Sequence, residues 1–272
     1  MIEHLATIEQ DAHRDSPVHR LDARVKILIA FAAIIAMVAV PYSTLVAPIF
    51  LGYMFIFAVW WGLSRLPLQT LLWRYLLTLP FGLFIIIFQI FFENPYYDTF
   101  TPLLALPLGI TVYVQSVEFA AILAMKFTAC IIWIILLSST TPMEELLKGG
   151  RRLGLPSVMA VSLGMMIRYL FVFADMYVNI NRALALRHFA AFERKLPYWY
   201  RLTTLAYAIG SLFLRSYEQG ERTFICMQCR GYGTRTYDAL PKRPVPSRQW
   251  GIAVLMITFF VALPVLLYTS AV

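Results

Sequence analysis

The side chains with the most evident chemistry are two arginines, Arg187 and Arg230, each at the end of a long amphipathic stretch. A guanidinium stays charged at physiological pH and forms planar, bidentate pairs with a carboxylate, a geometry that lysine cannot copy. An arginine presented at a helix tip is therefore suited to gripping an acidic group on another protein. Before Arg230, the residues Ala206, Ile209, Phe213, Tyr217, Gly220, Phe224 and Met227 recur at spacings of three and four and share one helix face. Ser211, Arg215, Glu218 and Arg222 line another face, and Glu218 four residues before Arg222 predicts an ion pair along the helix. Gly231 predicts a left-handed C-cap just past Arg230. The earlier stretch starts at Leu155-Pro156-Ser157 and runs to about Ala185-Leu186-Arg187, with Arg168, Asp175, Asn179 and Arg182 on its polar face and Met and Phe opposite. Gly164 and Gly220 lie mid-helix, where each costs about 1 kcal/mol relative to Ala. That predicts close backbone approach where the two helices cross.

Other reactive groups are sparse. Cys226-Met-Gln-Cys229 has C-x-x-C spacing, but one pair cannot complete a tetrahedral metal site, and in an apolar helix it reads as packing. His4, His13, His19 and His188 are scattered, so neither a metal nor another cofactor is expected. The eleven methionines read as adaptable packing. No G-x-x-x-x-G-K-[ST] phosphate loop and no H-E-x-x-H occurs, so neither nucleotide hydrolysis nor zinc proteolysis is expected of this chain. Lys126 and Glu118 fall inside an apolar segment, where a charge is a functional hint by default: Lys126 reads either as a contact to a partner or as an internal pair.

The elements that must position these residues follow from composition. Of 272 residues, 60% are hydrophobic and only 14% charged, against about 25% charged in soluble domains. This is the signature of an all-α integral membrane protein. The formal net charge of +8 is then explained by Lys and Arg collecting in cytoplasmic loops rather than by nucleic acid. The polar start (His4, Glu9, Asp11, His13, Arg14) predicts no cleavable leader. Five apolar segments have spanning length: about 25–41, 46–63, 73–92, 113–137 and 250–269. A sixth, 157–174, carries Arg168 near its middle. If it crossed, residues 176–249 and their twelve Lys and Arg would lie outside, against the orientation rule. The expected plan is therefore about five transmembrane helices with the N-terminus cytoplasmic and the C-terminus external. The N-terminal tail and first four spans occupy 1–137, and the last span occupies 250–272. Residues 138–249 form a cytoplasmic or interfacial unit of one short and two long crossing helices. Thr141, followed by Pro142 and the acids Glu144 and Glu145, predicts the cap of the short one.

The chain resembles the transmembrane T component of energy-coupling-factor ABC importers, most closely the cobalt/nickel or CbiQ type. The resemblance covers nearly the whole chain and is carried by Arg168-Tyr-Leu-Phe171, Arg182-Ala183, Gly210-Ser-Leu-Phe-Leu-Arg-Ser216, Glu221-Arg222 and Arg230-Gly231-Tyr232. It implies a non-catalytic membrane subunit with two coupling helices ending in Ala-Arg-Gly-like motifs, which dock in two ABC-type ATPase subunits. It also implies a separate substrate-binding membrane S component. The motifs fall on Ala185-Leu186-Arg187, followed by His188 and Phe189, and on Cys229-Arg230-Gly231. Arg168, Asp175, Arg182, Arg215, Glu218 and Arg222 would support these helices. Implied is cobalt or nickel uptake across the cell membrane. The competing readings are the same subunit serving a vitamin such as biotin, a polytopic membrane enzyme, and a self-sufficient channel or carrier.

Overall fold

The computed structural model describes residues 16–43, 45–90, 102–105, 111–189, 196–233 and 245–271. It contains eight helices among these residues: α1 (Ala23–Ala39), α2 (Val46–Ser64), α3 (Leu68–Ile90), α4 (Val114–Thr140), α5 (Met143–Arg152), α6 (Ser157–Leu186), α7 (Tyr198–Cys229) and α8 (Ser247–Ala271). A short antiparallel pair, β1 (Pro102–Ala105) with β2 (Thr111–Tyr113), precedes α4 and was not expected from the sequence. The chain divides into two units, one of residues 3–153 with 244–272 and the other of 154–243.

In the first unit, local sequence sets where helices start and stop. Asp22 caps α1, its carboxylate accepting from the Arg24 N–H at 3.0 Å. Val40, extended before Pro41, ends α1, because a residue preceding proline is pushed out of the helical region. Arg65 closes α2 in the left-handed conformation (φ 54°). α5 begins one residue later than expected, with Pro142 rather than Thr141 at the cap position; the Thr141 hydroxyl is buried and makes no hydrogen bond among the described residues.

Around α1 pack α4, α5 and α8, while α2 packs on α4 and α8, and α3 lies along α4. The core between them is mostly aliphatic, with a cluster of aromatic rings inside it. Trp133 of α4 meets Phe260 of α8 edge-on at 5.1 Å between ring centroids, and Tyr53 of α2 lies 4.8 Å from the same Phe260 ring. Pro264, inside α8, has no N–H to offer the carbonyl four residues earlier, which is that of Phe260. The Tyr53 hydroxyl donates to that carbonyl at 3.2 Å, with both residues fully buried. A tyrosine on one helix thus repairs the backbone gap made by a proline on another. Tyr53→Phe should lower stability by about 1 kcal/mol, read as a lower thermal midpoint in detergent. An unchanged midpoint would show that the carbonyl finds another donor.

Among the described residues, five helices are long and apolar enough to cross a membrane: α2, α3, α4, α8 and the Val158–Leu186 part of α6. The number matches the sequence expectation, but the membership differs. α1, expected as a span over 25–41, is 17 residues long, about 25 Å. α6, expected to lie at the interface, qualifies because its charges are spaced widely enough to leave a long apolar window.

The second unit holds α6 and α7. Among its described residues none is fully buried. The two helices are joined near one end by Phe189 against Tyr200, 6.2 Å between centroids, and at the other by a 2.5 Å hydrogen bond between the Tyr169 and Thr223 hydroxyls. They therefore run antiparallel. Between them lies an open apolar groove of about 660 Å³, lined by Met165, Met166, Phe173, Phe213 and Tyr217 among others.

Candidate functional site

The two expected helix tips have the same construction. α7 ends with Arg230 at the C-cap (φ −91°, ψ 9°), and α6 ends with Arg187 at the C-cap (φ −90°, ψ 17°). Past Arg230, Gly231 turns left-handed (φ 81°), its N–H reaching Gln228 O at 2.9 Å while Tyr232 N–H reaches Met227 O at 3.0 Å. Past Arg187, His188 turns left-handed (φ 53°), its N–H reaching Ala185 O at 3.0 Å while Phe189 N–H reaches Leu184 O at 3.0 Å. Both are complete Schellman closures, in which the two residues beyond the cap satisfy carbonyls of the last turn. The backbone thus puts Arg187 in register with Arg230, His188 with Gly231, and the aromatic Phe189 with Tyr232. Leu186 takes the place of Cys229.

Sequence reasoning found the second closure through its glycine and had no comparable signal for the first, because histidine occupies the left-handed position. A non-glycine residue there costs about 1 kcal/mol. His188→Gly should therefore slow amide exchange at Phe189 by about five-fold, and Gly231→Ala should speed exchange at Tyr232 by a similar factor. Equal exchange in parent and variants would mean that the turn is not what holds these ends.

Arg187 and Arg230 are exposed, and neither side chain makes a hydrogen bond or ion pair among the described residues. The fork of each is available to a visitor. Because Phe189 adjoins Tyr200, the first tip stands beside the start of α7, and about 45 Å of helix separates Tyr200 from the second tip. Two exposed arginine ends are therefore held apart on one antiparallel pair. Ala185 is exposed on the last turn of α6.

The supporting residues behave less uniformly than expected. Arg168, Asp175, Arg182, Arg215, Glu218 and Arg222 are all exposed, and none pairs with another. The expected Glu218–Arg222 ion pair is not formed. An exposed i,i+4 pair is worth only about 0.3–0.5 kcal/mol, too little to immobilise two long side chains. Neither Gly164 nor Gly220 marks a close helix crossing: a Cβ built on either meets nothing within 4 Å. Close approach occurs in the other unit, where Gly82 lies against the Phe127 ring and a Cβ built on Gly149 would come within 3.1 Å of Ala23 Cβ and 3.3 Å of the Arg24 N.

Of the two charges in α4, Glu118 is exposed, and Lys126 is buried and satisfied within its own unit. The Lys126 ammonium donates to the carbonyl of Val40, the C-cap of α1, and stands 4.0 Å over the Tyr42 ring. Lys26, near the start of α1, does the reverse. It is buried and donates to Thr140 O at 2.8 Å, at the C-terminus of α4, and to His19 O at 3.1 Å. Each helix therefore sends a lysine to the carbonyl end of its antiparallel neighbour, where a cation is favoured. Lys26 was missed because, with Arg20 and Arg24, it reads as one of the cytoplasmic cations that orient a membrane protein. Among the described residues no group of three or more His, Cys, Asp or Glu could hold a metal ion.

Comparison with known proteins places these features in context. A family model described as CbiQ, cobalt transport protein, matches residues 14–238. The chain is 29% identical over 223 residues, 80% of its length, to a protein of Methanocorpusculum labreanum described as a fused cobalt transport protein CbiMQ. It is 25% identical over 172 residues, 62% of its length, to an uncharacterized protein of Methanocaldococcus jannaschii. The matched segments span 35% and 57% of those relatives.

Proposed function

Because the chain belongs to the CbiQ family of cobalt transport proteins, we propose that it is the membrane-embedded coupling subunit of an energy-coupling-factor importer. Family and apolar helices together make it a multi-pass membrane transport protein. In our reading it carries out no reaction itself. Two ABC-type ATPase subunits hydrolyse ATP, and the α6 and α7 tips follow them through Arg187 and Arg230. The movement passes to a substrate-binding membrane S component that takes cobalt or nickel. The observation that carries this reading is the matched pair of arginine-capped Schellman ends, exposed and unpaired among the described residues, about 45 Å apart along an antiparallel helix pair. A machine with two equivalent motors needs two equivalent handles.

Support for a separate S component comes from the fused relative, most of whose length lies outside the part similar to this chain. The unpartnered apolar surface of α6 and α7 supports a partner or membrane cover there. The positive charge of residues 176–249 supports placing them on the cytoplasmic side, with the N-terminus inside and the C-terminus outside. The test is intact-complex mass spectrometry after co-expression with ATPase and S subunits. One copy of this chain should retain two nucleotide-binding subunits and one small membrane protein. A chain that remains alone and transports metal in liposomes would overturn the proposal in favour of a self-sufficient carrier.

A further inference from the structure

The last turn of α7 contains two thiols three residues apart, Cys226 and Cys229, and the structure does not bury them as the apolar surroundings predicted. Both are free and exposed. We propose that they form a thiol–disulfide exchange site for low-molecular-weight disulfides, and that its oxidation disables the Arg230 tip.

Helix geometry puts Cα atoms three residues apart at about 5 Å, within the range that a disulfide spans. The corresponding Cβ atoms lie about 5–6 Å apart, whereas a disulfide holds them at about 3.8 Å. Closing the bond therefore has to tighten the last turn. The two residues enclosed by the bond are Met227 and Gln228, whose carbonyls accept the Tyr232 and Gly231 N–H groups in the closure that presents Arg230. Tightening that turn pulls the acceptors away from their donors and releases the tip.

The chemistry balances as two exchanges. The thiolate of one cysteine attacks a small-molecule disulfide RSSR, forming a mixed disulfide and expelling RS⁻. The thiolate of the other attacks the protein sulfur, forming the Cys226–Cys229 bond and expelling the second RS⁻. The two thiols lose two protons and two electrons, and RSSR becomes two RSH. Arg222 and Arg230 lie four residues either side of Cys226 on the helix. An anionic disulfide such as glutathione disulfide therefore meets cations at the site. The mixed disulfide would itself obstruct docking, since Cys229 directly precedes Arg230, where the family motif has a small alanine.

The effect on docking rests on the coupling role proposed above; the exchange site does not. The experiment treats the full chain in lipid nanodiscs with glutathione disulfide. Peptide mapping should find a Cys226–Cys229 disulfide, with amide exchange at Gly231 and Tyr232 at least five-fold faster than in the reduced form. Dithiothreitol should reverse both, and C226S/C229S should show neither. Co-expressed ATPase subunits should be recovered at least five-fold less well on the oxidised parent than on the oxidised double variant. No disulfide at millimolar glutathione disulfide, or a disulfide with unchanged exchange at the tip, overturns the proposal. A disulfide with altered exchange but equal ATPase recovery overturns its effect on docking. Failure to recover ATPase on either redox form refutes the coupling role instead, and mapping with exchange then decides the thiol site alone.

Discussion

Alanine at Arg187 or at Arg230 is expected to weaken ATPase binding by about 2–5 kcal/mol, the range for removing one member of an interfacial charge pair. That corresponds to roughly thirty-fold or more in Kd. Either change should leave thermal stability within about 0.5 kcal/mol of the parent, because both guanidinium groups are exposed and unpaired among the described residues. The combination of lost binding and retained stability separates a docking role from a structural one. A cation present only to favour a helix C-terminus would shift stability by a few tenths of a kcal/mol and leave binding alone. Lysine at these positions should recover little, since it lacks the planar fork. The equivalent closures at the two tips predict similar losses from the two single variants. Full ATPase recovery with both arginines replaced would remove the docking proposal.

A second large effect is expected deep in the first unit. Lys126→Met should destabilise the fold by about 2–4 kcal/mol, combining an unsatisfied buried carbonyl at Val40 with loss of the ammonium from the Tyr42 ring. Methionine keeps most of the side-chain volume, so the loss is of charge and donor rather than of packing. Lys26→Met should act similarly at Thr140. Fourteen residues separate each lysine from the capped end of its own helix, about 21 Å of rise in both cases. The two bonds therefore agree on one antiparallel register for α1 and α4. The double variant should lose more than the sum of the singles, with a coupling of at least 0.5 kcal/mol, because either bond alone still holds the same sliding coordinate. Thermal unfolding of the four proteins in one detergent measures this. Strict additivity would mean that the lysines act as independent caps, and a stable Lys126→Met would mean that Val40 is satisfied without it.

What the sequence revealed followed the range of the interactions. Gly231 could be recognised because its role is decided by its own backbone conformation and its position after an amphipathic run. The helices themselves were legible from hydrophobic length and period, and Pro142 and Pro156 marked starts to within a residue. The lysine caps were not legible, because Lys126 and Val40 lie 86 residues apart and Lys26 and Thr140 lie 114 apart. Nothing local tells a capping lysine from a topogenic one. Gly164 and Gly220 were misread for the complementary reason. A helical glycine implies close approach only if something approaches, and the pattern within one helix does not contain the other helix. Likewise, the spacing of Glu218 and Arg222 permits a pair, and solvent removes the incentive to form it.

The bare state of α6 and α7 has a consequence for the cell. A helix pair with no interior of its own has little free energy to resist proteases and little to keep it from sticking to its neighbours. Made in excess over whatever covers it, the chain would persist only as an orphan for quality control to clear. Its abundance should therefore be set by the supply of its companions rather than by its own rate of synthesis.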